Sequence, residues 1–499
     1  MKKARLIKNS LSAIVQVVIV GGVYFVLYWY LLKTIGIELL GVWSLIIATT
    51  SLALIANFGI STSIIKFVST YYTRKDFDSL RQLIFTSLLF ILGTYAIIGI
   101  ILLITGRLIL EHFIDAEYLE IALAILPYSI ISLIINALNG VMSSALDGIQ
   151  KSYLRSYILS ASSIMLLVVS TALAPSYGLA GLIYAQILQA VLVLLLSAVS
   201  LSRNIKGIFN FKWNWSKRIF REIIDYGLKM QSLSLMQMSF EPVTKALLSK
   251  FGGLAMVGYY EMASRLVTQL RSLIVNANQV VIPVVAEAKE TDVGFIKQLY
   301  LKTFSIILFL NIILTSAIII SAPLISILWI GEVVPFFIFS VIINSAVVFV
   351  NISSNPAYFS FMGEGKLNWL IKSYVAVTII NIVCGYVLGH FFGAYGVVLA
   401  WNLAFLAGSL IIIWSFHRTN AILWSTVINK NNLVLTILSV LLCFFAYNFT
   451  IGFLKNSIDY TSLLGSLIFA FLFIKTGLIN ENFILIIGEI RRLIFKKSS

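Results

Sequence analysis

Apolar runs of about twenty residues recur along the whole chain, and a run of that length crosses the hydrocarbon layer of a bilayer as a helix. We place about fourteen, at 10–32, 40–66, 81–106, 120–146, 154–174, 178–201, 226–250, 254–286, 298–322, 335–362, 368–390, 394–416, 431–453 and 460–479. Lipid offers no partner to a backbone N–H or C=O, so each run must satisfy its own hydrogen bonds, which a helix does. Hydrophobic residues make up 60% of the chain and charged residues 11%, against about a quarter charged in soluble proteins. The expectation is an all-α polytopic membrane protein with about 14 transmembrane helices.

The net charge of +16 invites a nucleic-acid reading, and its distribution argues against one. With the N-terminus inside, 28 of the 36 Lys and Arg fall in alternate loops, such as Lys2 to Lys8, Lys66 to Arg81 and Arg203 to Arg221. The intervening loops hold only Lys33, Arg107, Lys250 and Lys455. Positive loops stay in the cytoplasm, so both termini are expected there. The basic excess faces anionic headgroups. The N-terminal apolar stretch is too long for a signal-peptide core and reads as a retained span. Cys384 and Cys443 both fall within spans, which argues against a disulfide framework. No phosphate-binding G-x-x-x-x-G-K-[ST] loop, zinc-binding H-E-x-x-H or nucleophile-elbow G-x-S-x-G occurs, so the chain reads as no enzyme and as needing no cofactor.

The chain also repeats itself. Leu40-Gly41-Val42-Trp43 meets Val257-Gly258-Tyr259-Tyr260 at an offset of 217. Ala145 to Lys151 meets Met362 to Asn368 at the same offset, and Tyr177-Gly178-Leu179 meets Tyr395-Gly396-Val397 at 218. Six spans are an even number, so both copies keep one orientation, with a cavity expected between them. The expected organisation is a six-helix lobe at 1–202, an interfacial linker at 203–225, a second lobe at 226–417, and two further helices with a cytoplasmic tail at 418–499. In the linker, Phe209, Phe211, Trp213, Trp215 and Phe220 alternate with Lys212, Lys217, Arg218 and Arg221, a pattern that suits the headgroup layer.

Polar and ionisable residues concentrate in spans seven and eight. Glu261, Arg265, Thr268, Ser272, Asn276 and Gln279 recur at steps of three and four, which draws one stripe on a helix. Gln231, Ser234, Glu241 and Lys245 draw another. Such a stripe must face protein or water. With a turn near Gly252, the helix rise places Lys245 level with Glu261 and Glu241 level with Arg265. Two readings stand. Ion pairs pin the two helices, or a cationic wall holds an anionic headgroup and frees a carboxylate for a proton or sodium. Arg271 sits about 100° off the stripe's centre and is a candidate for the cavity's edge. Asn57, Gln16, Asn136, Asn139 and Asn351 either line the cavity or bond between helices. Pro242, directly after Glu241, is a candidate hinge.

With Gly41-Val42-Trp43-Ser44, Asn57-Phe58-Gly59-Ile60, Ala145 to Lys151, Tyr177 to Gly181, Gly258-Tyr259-Tyr260 and Ala263-Ser264-Arg265-Leu266, the chain resembles the Wzx-type flippases. These are the polysaccharide-export branch of the multidrug/oligosaccharidyl-lipid/polysaccharide superfamily, which also holds the MATE-like transporters. The resemblance implies twelve core helices in two lobes with two added helices. It implies movement of an undecaprenyl-diphosphate-linked oligosaccharide across the bacterial cytoplasmic membrane by alternating access, driven by an ion gradient (H+ or Na+). The partners expected are that lipid-linked substrate, the bilayer and polysaccharide assembly proteins, with no nucleic acid.

On this reading Arg265, Lys245, Arg271, Gln231, Thr268, Ser272, Asn276 and Asn57 are the candidate headgroup partners. Glu241, Glu261 and Pro242 are the candidates for coupling or gating. An ion-coupled multidrug or small-cation antiporter of the same fold stays open as an alternative. A membrane glycan polymerase or ligase is disfavoured by the short outer loops.

Overall fold

The computed structural model describes residues 2–51, 59–205, 207–209, 215–278, 285, 293–364, 366–427, 430–454 and 460–480. Its secondary structure is helical, as a chain that must bond its own backbone in lipid requires. In order the helices are α1 (Lys2–Ile35), α2 (Ile37–Ser51), α3 (Ile60–Arg74), α4 (Phe77–Leu110), α5 (Ala116–Gly148), α6 (Ser152–Asn204) and α7 (Lys217–Gly252). They continue with α8 (Leu254–Asn278), α9 (Val293–Ile330), α10 (Pro335–Glu364), α11 (Asn368–Thr419), α12 (Trp424–Val427), α13 (Lys430–Leu454) and α14 (Tyr460–Ile479). Nine among the described residues are long and apolar enough to cross a bilayer. The chain is a multi-pass membrane protein. At the start of α4, Ser79 N–H donates to the Asp76 carboxylate at 3.1 Å. Hydrogen bonding from Ser79 holds that carboxyl below its ordinary range.

Two helices are far too long for one crossing. α6 has 53 residues and α11 has 52, and each breaks at a glycine: Gly178 at φ 55, ψ −133 and Gly393 at φ 58, ψ −141. A side chain resists that backbone, so glycine supplies it. A Cβ on Gly181 would stand 2.7 Å from the carbonyl oxygen of Leu173, eight residues back. In a straight helix residues eight apart are separated by about 12 Å. The chain therefore doubles back, and α6 is a helical hairpin. Gly396 makes the same approach to Leu388, so α11 is a second hairpin. With these limbs counted separately, each of the fourteen expected runs falls on a helix or limb. The second is divided between α2 and α3 on either side of 52–58, and the eighth is followed as far as Asn278.

The geometry corrects the repeat's register. The broken-helix glycines Gly178 and Gly393 are 215 apart, as are Gly181 and Gly396. The expected pairing of Gly178 with Gly396 aligned identical letters and missed the backbone requirement. At the end of α5, Lys151 N–H donates to Leu146 O at 3.0 Å, and at the end of α10, Lys366 N–H donates to Phe361 O at 2.9 Å. That turn too is offset by 215, not 217. The first anchor holds at 217. Gly36 (φ 86) precedes α2 as Gly253 (φ 80) precedes α8.

The chain groups into two compact units, Met1–Met262 with Asn381–Val398, and Ala263–Ile380 with Leu399–Ser499. The division runs through α8 and α11 and not through 203–225. One reason lies in the connection itself: Ile205, Ile208, Ile219 and Ile223 are buried in the first unit's core beside Ile64, Leu83, Tyr95 and Leu146. Its other side carries exposed Trp215, Lys217, Arg218 and Arg221, and Phe220 packs on Phe90 and Trp215, each with ring centroids 5.0 Å apart. The described part of the connection has one buried and one exposed side, and its isoleucines anchor it. Phe211, Lys212 and Trp213 lie outside the described residues. In the second unit, Ile274, Ile307 and Ile352 tie α8, α9 and α10 together. Phe309, Ile312 and Leu435 join α9 to α13. Phe445 of α13 stacks on Phe469 of α14 at 5.3 Å.

Candidate functional site

In the first unit α7 and α8 form a tight hairpin turned at Gly253, and α8 begins against the start of α2. A Cβ on Gly258 would meet the backbone oxygen of Ile37 at 2.7 Å, and one on Gly41 would meet the backbone of Leu254. The contact is reciprocal: Gly41 and Gly258 are equivalent at 217, and so are Ile37 and Leu254. Missing side chains let the two helices touch backbone to backbone.

One turn further in, this close approach brings together a buried ionic cluster. Lys245 of α7 is 1% exposed, and its ammonium lies 2.6 Å from Glu261 of α8, itself 2% exposed. The same ammonium lies 2.5 Å from Glu241, one turn back on α7, which is 57% exposed. Glu261 is held from the first repeat as well. The Tyr28 hydroxyl of α1 donates to Oε1 at 2.7 Å, and the Ser44 hydroxyl of α2 donates to Oε2 at 3.0 Å. An isolated charge at this depth is costly, and each is retained because the other and two hydroxyls compensate it. Tyr28 packs on Trp43 with ring centroids 5.7 Å apart.

Just beyond Glu241, Pro242 lies inside α7, which remains helical through it. The neighbouring Phe240 carbonyl accepts from Thr244 Oγ1 at 2.9 Å and from Asn381 Nδ2 at 3.3 Å. Side-chain donors of this kind support backbone near an intramembrane proline.

A second polar centre lies within the second unit. Arg271 Nε donates to Asn351 Oδ1 at 2.8 Å, and Asn351 Nδ2 donates to Ser409 Oγ at 3.0 Å. The guanidinium sits 5.9 Å from the Phe405 ring centre. A small crevice beside it is lined by Arg271, Asn311, Thr315 and Ser345 among apolar side chains. Asn402 donates to Asn344 at 2.8 Å nearby on α10. Asn351 thus serves helix bonding and arginine orientation together.

Lys245 stands level with Glu261, as its helix rise predicts, and Glu241 makes its ion pair with Lys245. Arg265 is half-buried on α8, and Thr268 is exposed. Ser272 donates to Gln269 O at 2.7 Å, within its own helix. Gln231 and Asn276 are helical, with side chains outside the described set; Asn57 and Gln279 lie outside the described residues altogether. Asn139 bonds between helices, to Ala190 O at 2.9 Å, whereas Asn136 bonds to Ser132 O one turn back on its own helix. Sequence reasoning missed Tyr28 and Ser44. Their signal was the repeat: Ser44 is 217 residues from Glu261, and Tyr28 is 217 from Lys245. Chemically the cluster can keep one ammonium at membrane depth, with a fixed carboxylate on its buried side and a replaceable one, Glu241, on its exposed side.

A family model described as polysaccharide biosynthesis protein matches residues 6–289, a little over half the chain. No protein of curated function matches. Among solved structures the chain is similar to the lipid II flippase MurJ in an inward closed conformation, at 16% identity and TM-score 0.72, covering 95% of this chain and 98% of that one. It is similar to an inward-facing multidrug resistance MATE family transporter of the MOP superfamily, at 16% identity and TM-score 0.69, covering 81% and 95%. A MOP superfamily transporter from Pyrococcus furiosus, noted for reversed polarity of its binding pocket, matches at 16% identity and TM-score 0.60, covering 84% and 96%.

Proposed function

Because the chain belongs to the polysaccharide biosynthesis protein family, we propose that it is a flippase. Its cargo is an undecaprenyl-diphosphate-linked oligosaccharide, carried across the bacterial cytoplasmic membrane by alternating access. Both termini face the cytoplasm on this reading, and no bond in the cargo is made or broken. A diphosphate-sugar headgroup cannot cross hydrocarbon without polar partners. The observation that carries the reading is Lys245, an ammonium with 1% exposure whose outward partner, Glu241, is 57% exposed. An arriving phosphate oxygen replaces the Glu241 carboxylate on Lys245, and Glu261 keeps the lysine charged and in place. The released Glu241 is then free to take a proton or sodium ion, and that exchange couples transport to a gradient. Within the second unit, Arg265 and Arg271 carry donors suited to phosphate in their own right, and Pro242 is the hinge on which α7 bends.

The test is a deletion strain assayed for surface polysaccharide and for lipid-linked repeat units retained in the inner leaflet. Loss of polymer with retention of the lipid-linked units is expected. Lys245→Met, expressed at normal levels, should not rescue it. Unchanged surface polymer in the deletion strain sinks the proposal.

Two carboxylates around one ammonium favour a second reading, a small-cation or drug antiporter of the same fold. It is supported if deletion leaves polymer intact and sensitises cells to cationic drugs.

A further inference from the structure

The two limbs of α11 end in a basic aromatic cluster that the transport reading does not use. Lys372 lies 21 residues before the Gly393 turn, and Trp414 lies 21 after it. That is roughly 32 Å of helix on each limb, about one hydrocarbon thickness. The cluster therefore stands at headgroup depth on the leaflet away from the turn. Trp369 and Trp414 meet edge to face with centroids 5.8 Å apart. The Lys372 ammonium lies 4.4 Å from the Trp369 ring centre, and the Arg418 guanidinium lies 5.3 Å from that of Trp414. Both cations are exposed, as is Trp414 at 45%. Neither cation has a carboxylate partner among the described residues, whereas nearby Lys366 is paired with Glu364.

Along the same limbs, exposed Val375 and Ile379 continue from Lys372 at helical spacing, and Leu410 and Leu403 continue from Trp414. A column of apolar side chains thus runs into the hydrocarbon beneath the two cations. The first hairpin does not repeat this arrangement. At the offset of 215, Trp369, Lys372, Trp414 and Arg418 correspond to Leu154, Tyr157, Val199 and Arg203. The fold does not demand the cluster, so its chemistry is particular to the second hairpin.

We propose that this face binds one anionic glycerophospholipid, of the phosphatidylglycerol class. Its phosphate lies between Lys372 and Arg418, its glycerol lies against the two indoles, and its chains lie along Val375, Ile379, Leu410 and Leu403. A single snorkelling lysine over a ring, such as Lys33 at 4.3 Å from Trp29, is an ordinary interface anchor. Two cations joined through touching indoles form a pocket for an anionic headgroup.

The experiment uses the full chain, delipidated in detergent and titrated by native mass spectrometry. The probes are phosphatidylglycerol and phosphatidylcholine with identical acyl chains. The expected result is retention of one phosphatidylglycerol at least tenfold tighter than phosphatidylcholine. Lys372→Ala with Arg418→Ala should abolish that preference, and Lys33→Ala should change it less than twofold. Equal retention of the two lipids overturns the proposal, as does an unchanged preference in the double variant. If the double variant fails to fold, salt titration of the unaltered protein decides. Loss of phosphatidylglycerol, but not phosphatidylcholine, with rising salt supports the site, and salt-independent retention overturns it. A polyprenyl diphosphate that displaces phosphatidylglycerol at equimolar ratio also overturns it, since the face would then belong to the cargo.

Discussion

The first repeat places Tyr28 and Ser44 where the second places Lys245 and Glu261, at an offset of 217 in both cases. The surroundings are built alike: a positive-φ glycine, a helix start and a glycine one turn later recur at Gly36, Ile37 and Gly41 and at Gly253, Leu254 and Gly258. The same backbone thus holds two neutral hydroxyls on one side and a lysine and a glutamate on the other. Three of the four meet on Glu261, which Tyr28, Ser44 and Lys245 all contact. The fold does not need charge here; the neutral copy keeps the same glycines and helix start. Hydroxyls that are inexpensive to bury in one half fix a charge that is expensive to bury in the other.

The severest way to break the comparison is to remove one charge. Lys245→Met leaves Glu261 buried without its counter-charge and should cost about 3–5 kcal/mol, read as a lowered Tm in detergent. Making the second repeat resemble the first, with Lys245→Tyr and Glu261→Ser together, should recover most of that loss while abolishing transport. If the double variant melts no higher than Lys245→Met, the charges are not coupled as described.

Next in size is the backbone contact. Gly258→Val and Gly41→Val should each cost about 1–3 kcal/mol or more by overpacking against main chain. Equal losses in melting temperature mark a symmetric seam. Tyr28→Phe takes one donor from the Glu261 carboxylate and should cost about 1–3 kcal/mol, visible as a smaller shift in the same melt. Gly178→Ala and Gly393→Ala test whether the hairpins are equivalent, with about 1–2 kcal/mol expected for each from the positive φ. Smallest is Glu241→Gln, where exposure limits the stability effect to below about 1 kcal/mol. Its expected phenotype is slowed transport with near-normal melting, and normal transport would remove Glu241 from the coupling role.

How much was legible follows from which forces leave a trace in composition. The spans were plain because lipid forces long apolar runs, and the runs at 154–174 and 178–201 already separated the limbs of α6. The pairing of Lys245 with Glu261 followed from counting helix rise back from Gly252, since a tight turn leaves little freedom of register. Tyr28 and Ser44 were not singled out, because a hydroxyl in a span announces no cost of its own; only alignment of the repeats points to them. Gly178 was paired with Gly396 because letter identity is blind to φ, whereas the backbone pairs it with Gly393. The burial of Ile205, Ile208, Ile219 and Ile223 was overshadowed by aromatic and basic neighbours that suggested the membrane surface alone.

The paired glycines carry a consequence for how such a chain diverges. Gly41 rests on Leu254 and Gly258 on Ile37, so both draw on a single clearance between two backbones. Enlarging either residue consumes room the other also requires. The halves of a duplicated gene ordinarily drift apart at their own rates. At this seam they are yoked, and homologues that admit bulk on one side should show a shifted or shortened helix start on the opposite side.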